Sequence, residues 1–232
     1  MKQNSVGTTL KCLIKKSIRL VCIDFDDTLL TINTHGKWDI DPLELTDYVR
    51  PVLITFIKQC LKKKIHVAIV SFSSQNDVIY KCLHYFLKND INKIYIMTSN
   101  KLNKCDKNYC KKISKKIKMK RKNPMILSVC TEIYVKYNEQ LHPNQVILID
   151  NDLNNIRIAK QGGFNTYHFN KKSENTFFKE LQTNMDHFLN KTSYTFIFAD
   201  VCKLLTVTCL LLFLFLKKNS YIGTKRVTYK IT

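Results

Sequence analysis

Three carboxylates follow an apolar run near the start of the chain. The segment VCIDFDDTLL, residues 21–30, places Asp24, Asp26 and Asp27 directly after Val21–Ile23. Alternate side chains of an extended chain face the same way, so Asp24 and Asp26 are expected to lie side by side. Such a pair repels and favours a cation with oxygen ligands, such as Mg²⁺. One carboxylate could also attack phosphorus while the other serves as general acid and base. An acidic turn that caps a helix is the alternative for this motif taken alone.

The elements that would position these carboxylates alternate along the chain. Short apolar runs bounded by polar turns predict strands of a buried parallel sheet, and helical spacing of apolar residues fills the gaps between them. The predicted strands are 18–25, 66–72, 92–99, 144–150 and 163–169, and the predicted helices are 43–63, 75–88, 124–140 and 154–163. The alternation indicates an α/β fold, a three-layer α/β/α sandwich around a mostly parallel sheet. Sites in such sheets lie at the carboxyl ends of the strands, where Asp24, Ser71 and Asp150 fall.

Four segments in chain order resemble motifs of one known family. VCIDFDDTLL, HVAIVSFSS, KRKNPMIL and VILIDNDLNNI are similar to motifs I to IV of the haloacid dehalogenase (HAD) superfamily of phosphohydrolases. The resemblance covers residues 15–172. It implies a HAD-like Rossmannoid fold, Mg²⁺ as cofactor and hydrolysis of a phosphomonoester through an aspartyl-phosphate.

The resemblance also implies a role for each motif residue. Asp24 would be the nucleophile, Asp26 the acid and base, and Lys122 the motif III lysine, with Lys120 as second choice. Ser71 would bind a phosphate oxygen. The other predicted substrate-binding residues of the first motif are Phe25 and Thr28, and Thr28 would also hold the carboxylate pair. The loop 31–39 overhangs the nucleophile in similar folds, so His35 and Trp38 are candidate substrate contacts, with a simple packed loop as the alternative. The predicted metal ligands are Asp24, Asp26, Asn151 and Asp150.

One position departs from the common motif IV. Asn151 stands where most members have a second Asp, although phosphatases of the carboxy-terminal-domain type also carry Asp-Asn. We expect Asn151 to supply an oxygen ligand and Asp150 to hydrogen-bond a metal water or the lysine. Loss of one negative ligand is expected to weaken metal binding. Asp27 is expected to face away or to serve the turn.

The gaps between motifs bear on the substrate. They are too short for a cap domain, so the chain resembles a capless member near the magnesium-dependent phosphatase and carboxy-terminal-domain phosphatase branch. An open site favours a macromolecular substrate such as a phosphoprotein, or a small phosphate. The alternative is a catalytically weak or inactive HAD-fold module that binds anionic partners.

Charge supports an anionic partner. The net charge is +20, and residues 101–122 carry eleven Lys or Arg against the single acid Asp106. Nucleic acid is a less favoured partner, because Tyr109 is the only aromatic residue there for stacking on bases. Compositional drift of the chain and a solvated lysine-rich loop remain the alternatives.

The cysteines and the two ends complete the organisation. Nine cysteines without a CxxC pair indicate reduced core residues in a cytosolic-type compartment.

Residues 1–17 are expected to form a lead-in with a short helix, with a mitochondrial presequence as the alternative. Residues 18–190 are expected to form the hydrolase domain. Within the tail 191–232, residues 195–216 approach the roughly 20 apolar residues that span a bilayer, although Asp200 and Lys203 interrupt them. A membrane anchor and a helix packed on the domain both remain open.

Overall fold

A five-stranded parallel sheet lies at the centre of the computed structural model, which describes residues 2–104 and 119–185. The strands are β1 (Leu20–Ile23), β2 (His66–Ser71), β3 (Ile94–Thr98), β4 (Val146–Asp150) and β5 (Asn165–His168). Their order across the sheet is β3-β2-β1-β4-β5. Ile23 therefore aligns with Ile69 of β2 on one side and Ile149 of β4 on the other. The carboxyl ends of β1, β2 and β4 thus meet at one edge of the sheet.

Helices cover both faces of this sheet. They are α1 (Lys2–Lys15), α2 (Pro51–Lys62), α3 (Asn76–Leu87), α4 (Asn123–Tyr137), α5 (Leu153–Gln161) and α6 (residues 177–185). Short 3₁₀ turns are Pro42–Tyr48, Lys88–Lys93, Ser99–Lys104, Pro143–Gln145 and Lys171–Ser173. Apolar side chains of α1, α2, α3 and α6 pack on one face, and those of α4 and α5 pack on the other. The predicted three-layer α/β/α sandwich is confirmed.

The single long helix predicted over 43–63 is wrong. The chain forms a 3₁₀ turn, Pro42–Tyr48, and then runs extended through Val49 and Arg50 before α2 begins at Pro51. Proline disfavours a helical conformation in the residue before it, so the helical spacing on either side of Arg50 belongs to two separate helices. The extended residues pair back on the first motif, because the Arg50 N–H donates to the Leu29 carbonyl oxygen at 2.9 Å.

The lead-in forms the predicted helix, and the cysteines of the described residues are buried as predicted. Residues 2–15 form α1, and its Leu10 and Leu13 are buried against the same core as β1. Five cysteines in the described part of the chain are free and buried, namely Cys12, Cys22, Cys60, Cys82 and Cys130.

Two sequence features fall largely beyond what the structure describes. Most of the basic segment 101–122 and the whole apolar tail 195–216 lie outside the described residues. Within residues 2–104 and 119–185, no helix has both the length and the apolar character needed to cross a bilayer.

Candidate active site

A cavity of about 640 Å³ opens at the carboxyl ends of the central strands. Side chains from all four predicted motifs meet in its wall. The lining residues are Asp24, Asp26, Asn33, His35, Gly36, Ser71, Phe72, Ser73, Arg121, Lys122, Asn151, Asp152, Leu153, Asn155 and His168. The parallel sheet thus gathers groups that lie more than a hundred residues apart in the chain.

Asp24 is the first residue after β1, and the sheet holds it in place. Its N–H donates to the carbonyl oxygen of Ile149 on β4 at 2.9 Å. The residue is only 7% exposed, and the Thr28 hydroxyl donates to Oδ2 at 3.0 Å. The Lys122 ammonium contacts Oδ1. The carboxylate is therefore oriented through both of its oxygens.

Lys122 is a buried cation held by oxygen atoms. The residue is 1% exposed, and its Nζ donates to the carbonyl oxygen of Val70 at 2.7 Å and lies 3.2 Å from Oδ2 of Asp150. The neighbouring Lys120 is exposed, so Lys122, the first choice from the sequence, is the lysine beside Asp24. Burial alone would lower the pKa of Lys122, but the carboxylates of Asp24 and Asp150 outweigh it and raise that pKa, which keeps the ammonium charged.

The pKa of Asp24 shows how strongly burial acts at this point. Removal from water raises the pKa of the carboxyl above its usual value; the Lys122 cation opposes this rise, and the nearby Asp150 adds to it. Any further positive charge in the cavity would favour the ionised carboxylate, because the ammonium only partly offsets the cost of burial.

A tight turn separates Asp26 from Asp27. The Leu30 N–H donates back to the carbonyl oxygen of Phe25 at 2.9 Å, and Asp27 takes a left-handed conformation with φ of 58°. Asp26 remains extended and lines the cavity with Asp24. Asp27 is not part of the cavity wall; its carboxylate accepts from Asn33 Nδ2 at 2.8 Å and from the Lys171 ammonium. As expected, Asp27 serves the turn.

Asp150 and Asn151 have different surroundings despite being neighbours. Asp150 is fully buried, and its oxygens accept from the Asp152 N–H at 2.8 Å and from Asn155 Nδ2 at 3.0 Å, besides facing Lys122. It does not line the cavity. Asn151 does, and its Oδ1 lies 3.2 Å from the Thr28 hydroxyl that also bonds Asp24. Asp150 thus supports Lys122, while Asn151 presents an oxygen beside Asp24.

The predicted substrate-binding residues divide into two groups. Ser71 and His35 line the cavity. Phe25 and Thr28 cannot touch a substrate with their side chains, since they are 1% and 0% exposed. Trp38 lies outside the wall, where its indole N–H donates to the carbonyl oxygen of Asp41 at 3.2 Å. Only Ser71 and His35 keep the predicted access to a substrate.

Sequence reasoning missed several residues of the wall and its support, including Thr34, Arg121 and His168. Thr34 bonds Asp26, Arg121 lines the cavity beside Lys122, and His168 at the end of β5 has its Nε2 3.0 Å from the Asn151 carbonyl oxygen. His168 aligns with Asp150 only because β5 pairs with β4. In the sequence, the only sign that His168 could lie near the site was its position at the carboxyl end of the fifth predicted strand.

The donor set is sparse for a metal. Among the described residues, no group of three or more His, Cys, Asp or Glu side chains is placed to hold an ion. The oxygens available in the wall come from the carboxylates of Asp24 and Asp26 and from the amide of Asn151. Such an all-oxygen set suits a hard ion like Mg²⁺, which keeps several waters and needs few protein ligands.

Comparison with known proteins adds only a distant likeness of fold. No family model and no curated protein matches the chain. A solved structure described as a predicted HAD-like family hydrolase from Porphyromonas gingivalis is 12% identical, with a TM-score of 0.37 over 66% of this chain and 91% of that one. The HAD domain of the effector protein Lem4 from Legionella pneumophila, an inactive mutant, is 14% identical, with a TM-score of 0.43 over 75% of this chain and 98% of that one. Similarities this low say nothing about activity.

Proposed function

We propose that this chain is a capless phosphatase of the HAD type that hydrolyses phosphomonoesters with Mg²⁺ through an aspartyl-phosphate on Asp24. The observation that carries the proposal is the contact between Asp24 and the buried Lys122 in the wall of a cavity that Asp26 also lines. A carboxylate held by a fixed cation is suited to meet a phosphoryl group, whose charge that cation also attracts.

The residues of the wall fit the proposed ion. Asp24, Asp26 and Asn151 would hold Mg²⁺, and Asp150 would not, because other residues occupy its oxygens. When bound, the ion supplies positive charge against the phosphoryl oxygens. One ligand is a neutral amide, so the site carries one negative charge fewer than an all-carboxylate site and should bind Mg²⁺ more weakly.

The first step would use the two cavity carboxylates in sequence. An oxygen of Asp24 attacks phosphorus, and the bond from phosphorus to the leaving oxygen breaks with its electron pair on that oxygen. Asp26 donates the proton that this oxygen needs. Lys122 stabilises the charge on the phosphoryl group, while the Ser71 Oγ accepts from the Ser73 N–H at 3.1 Å, which leaves the Ser71 proton for a phosphoryl oxygen.

The second step returns the enzyme to its starting state. Asp26, now a carboxylate, takes a proton from a water molecule whose oxygen attacks phosphorus. The bond between Asp24 and phosphorus breaks, the carboxylate of Asp24 is restored and inorganic phosphate leaves. The net charge of the chain favours an acidic or phosphorylated macromolecule, such as a phosphoprotein, over a neutral partner.

The test is hydrolysis of p-nitrophenyl phosphate and a panel of phosphopeptides with Mg²⁺. Asp24→Asn should abolish turnover, and Asp26→Asn should reduce kcat by about 10²–10⁴-fold. Asp27→Asn is the matched control, because Asp27 is an adjacent carboxylate outside the wall, and it should retain most activity. Acid quench with ³²P-labelled substrate should leave label on the wild-type chain and none on Asp24→Asn.

Two outcomes would reject the phosphatase. One is the absence of hydrolysis across the panel with Mg²⁺, and the other is equal activity of Asp24→Asn and wild type. Tight binding of phosphopeptides without turnover would support the alternative, a binding module for anionic partners.

A further inference from the structure

A second cavity, of about 390 Å³, lies beside the first. Its wall is formed by Lys120, Arg121, Asn154, Arg157 and Ile158. Arg121 lines both cavities, so its side chain lies on the boundary between them. Both volumes fall within the roughly 300–1,000 Å³ typical of ligand pockets.

The second cavity has an excess of positive charge. Asp152 approaches Arg121 at 4.0 Å, and their side chains are 38% and 50% exposed, so this pair is weak. The other oxygen of Asp152 caps α5 by accepting from the Asn154 N–H at 2.7 Å. No acidic side chain among residues 2–104 and 119–185 forms an ion pair with Lys120 or Arg157.

Local backbone geometry produces this arrangement. Asn154, Arg157 and Ile158 share one face of α5 because they are three and four residues apart. Ile158 is buried and forms an apolar floor. Arg121 has a left-handed φ of 56°, and its side chain is half exposed, whereas that of Lys122 is 1% exposed and contacts Asp24. Lys122 thus lines the first cavity alone, whereas its neighbour Arg121 lines both.

We infer that the second cavity binds a second phosphate group of the substrate while the first phosphate lies at Asp24. Arginine offers planar, paired donors that match phosphate oxygens, and two arginines with one lysine lie around this concave wall. The carboxylates of the first cavity repel an anionic substrate. The cations of the second cavity oppose this repulsion, so a substrate with two phosphate groups should bind more tightly than one with a single phosphate group. The inference rests on the proposed function and names its substrate class, compounds that carry two phosphate groups.

Binding without turnover tests the inference. Asp24→Asn protein with Mg²⁺ is titrated with a phosphoserine peptide and with peptides that carry a second phosphoserine at successive spacings. At least one doubly phosphorylated peptide should bind about five- to tenfold more tightly, the size expected of charge-assisted bonds at a partly exposed site. Arg157→Gln in the same background should remove most of that ratio. Lys58→Gln, the same charge change on an exposed position of α2 across the sheet, should leave it intact.

A second measurement separates the possible sources of the phosphate pair. The affinities of a sugar monophosphate and of its bisphosphate are compared in the same way. Tighter binding of the doubly phosphorylated compound, among either the peptides or the sugars, supports the inference. The preference should also decline with added salt, because the cations are partly exposed. If Asp24→Asn fails to fold, wild-type protein in EDTA replaces it.

Equal affinities in both series would overturn the inference, as would a preference that survives the double variant Lys120→Gln/Arg157→Gln. The proposed phosphatase function is tested separately, by measuring wild-type turnover of p-nitrophenyl phosphate. The ratio of affinities is measured without any turnover, so the two failures are distinguishable.

Discussion

Thr34 donates two hydrogen bonds to a single oxygen of Asp26, from its backbone N–H at 2.8 Å and from its hydroxyl at 2.7 Å. Thr34 is only 7% exposed, so water competes little for these bonds. The loop that carries Thr34 is in turn held by Gln75, whose side-chain oxygen accepts from the Trp38 N–H at 2.6 Å and whose amide donates to the Trp38 carbonyl oxygen at 3.1 Å. The loop that follows the first motif therefore orients the proposed acid and base.

Replacing the Thr34 hydroxyl tests this positioning role. Thr34→Val keeps the backbone bond and the side-chain shape but loses one bond to Asp26, worth about 1 kcal/mol, so kcat for p-nitrophenyl phosphate should fall roughly fivefold. Thr34→Ser restores the hydroxyl and should recover most of the rate. Equal rates in the two variants would show that the hydroxyl does not matter to Asp26.

The contact between Lys122 and Asp24 should appear in folding stability as well as in activity. Lys122→Met leaves buried carboxylates without their cation and should lower the free energy of unfolding by about 3–5 kcal/mol. Asp24→Asn should cost less, since Lys122 keeps Asp150 and the Val70 carbonyl oxygen. Urea unfolding of the double variant should show a smaller loss than the sum of the two single losses.

An exposed pair provides the control for that cycle. Lys171 contacts Asp27 with its side chain 56% exposed, so Lys171→Met should cost less than about 1 kcal/mol. A similar loss for Lys171→Met and Lys122→Met, or strict additivity of the Lys122 and Asp24 changes, would contradict the interpretation of the buried contact.

Asn151→Asp tests the assignment of Asn151 as a metal ligand. The added carboxylate lies beside Asp24 and should lower Tm in EDTA through repulsion. With Mg²⁺ the same charge strengthens binding, so the rise in Tm on adding Mg²⁺ should exceed that of wild type by about 2–4 °C, the size of a 1 kcal/mol change. Asn154→Asp, outside the first cavity wall, should respond to Mg²⁺ as wild type does. An unchanged response of Asn151→Asp would remove it from the ligand set.

Glu139, which lies outside the first cavity wall, should make the free energy of unfolding depend on pH. Burial acts to raise the pKa of Glu139, but hydrogen bonds from Arg19 at 2.8 Å and His66 at 3.1 Å outweigh it and lower the pKa below its usual value. A lowered carboxyl pKa adds stability above the unfolded pKa, and this is lost as pH falls through the folded pKa. Glu139→Gln should therefore lower the free energy of unfolding by up to about 1 kcal/mol near neutral pH and by nothing in strong acid.

Glu132 gives a contrast of opposite sign. Partial removal from water raises the pKa of Glu132 despite the nearby Lys101, and because the residue stays exposed the cost to its ionised form is small. Glu132→Gln should leave the free energy of unfolding unchanged or higher at neutral pH. Identical pH profiles for the two variants, measured by urea unfolding, would refute the assigned causes.

Five strands and three of the four predicted helices could be located from the sequence because apolar runs and helical spacing directly reflect burial. The remaining predicted helix, over 43–63, joined a 3₁₀ turn to α2. Apolar spacing alone does not show that Arg50 must be extended before Pro51. Asp24, Asp26, Lys122 and Asn151 were also predictable, since each belongs to a motif at a strand or helix end.

Thr34, His168 and the second cavity were not predictable in the same way. Thr34 belongs to a loop whose position depends on Gln75. His168 reaches the wall because β5 pairs with β4, and Arg121 and Arg157 approach each other only after α4 and α5 pack on one face of the sheet.

The sequence by itself determined the alternation of strands and helices and the chemical types that end the strands, because both follow from local patterns of burial and polarity. Only the tertiary structure decided which of these groups meet. The strand order sets β1 between β2 and β4, and this order arises from long-range packing that no local pattern encodes. That packing brought the Lys122 ammonium to the carboxylate of Asp24, and it buried Asp150 while leaving Asn151 in the wall.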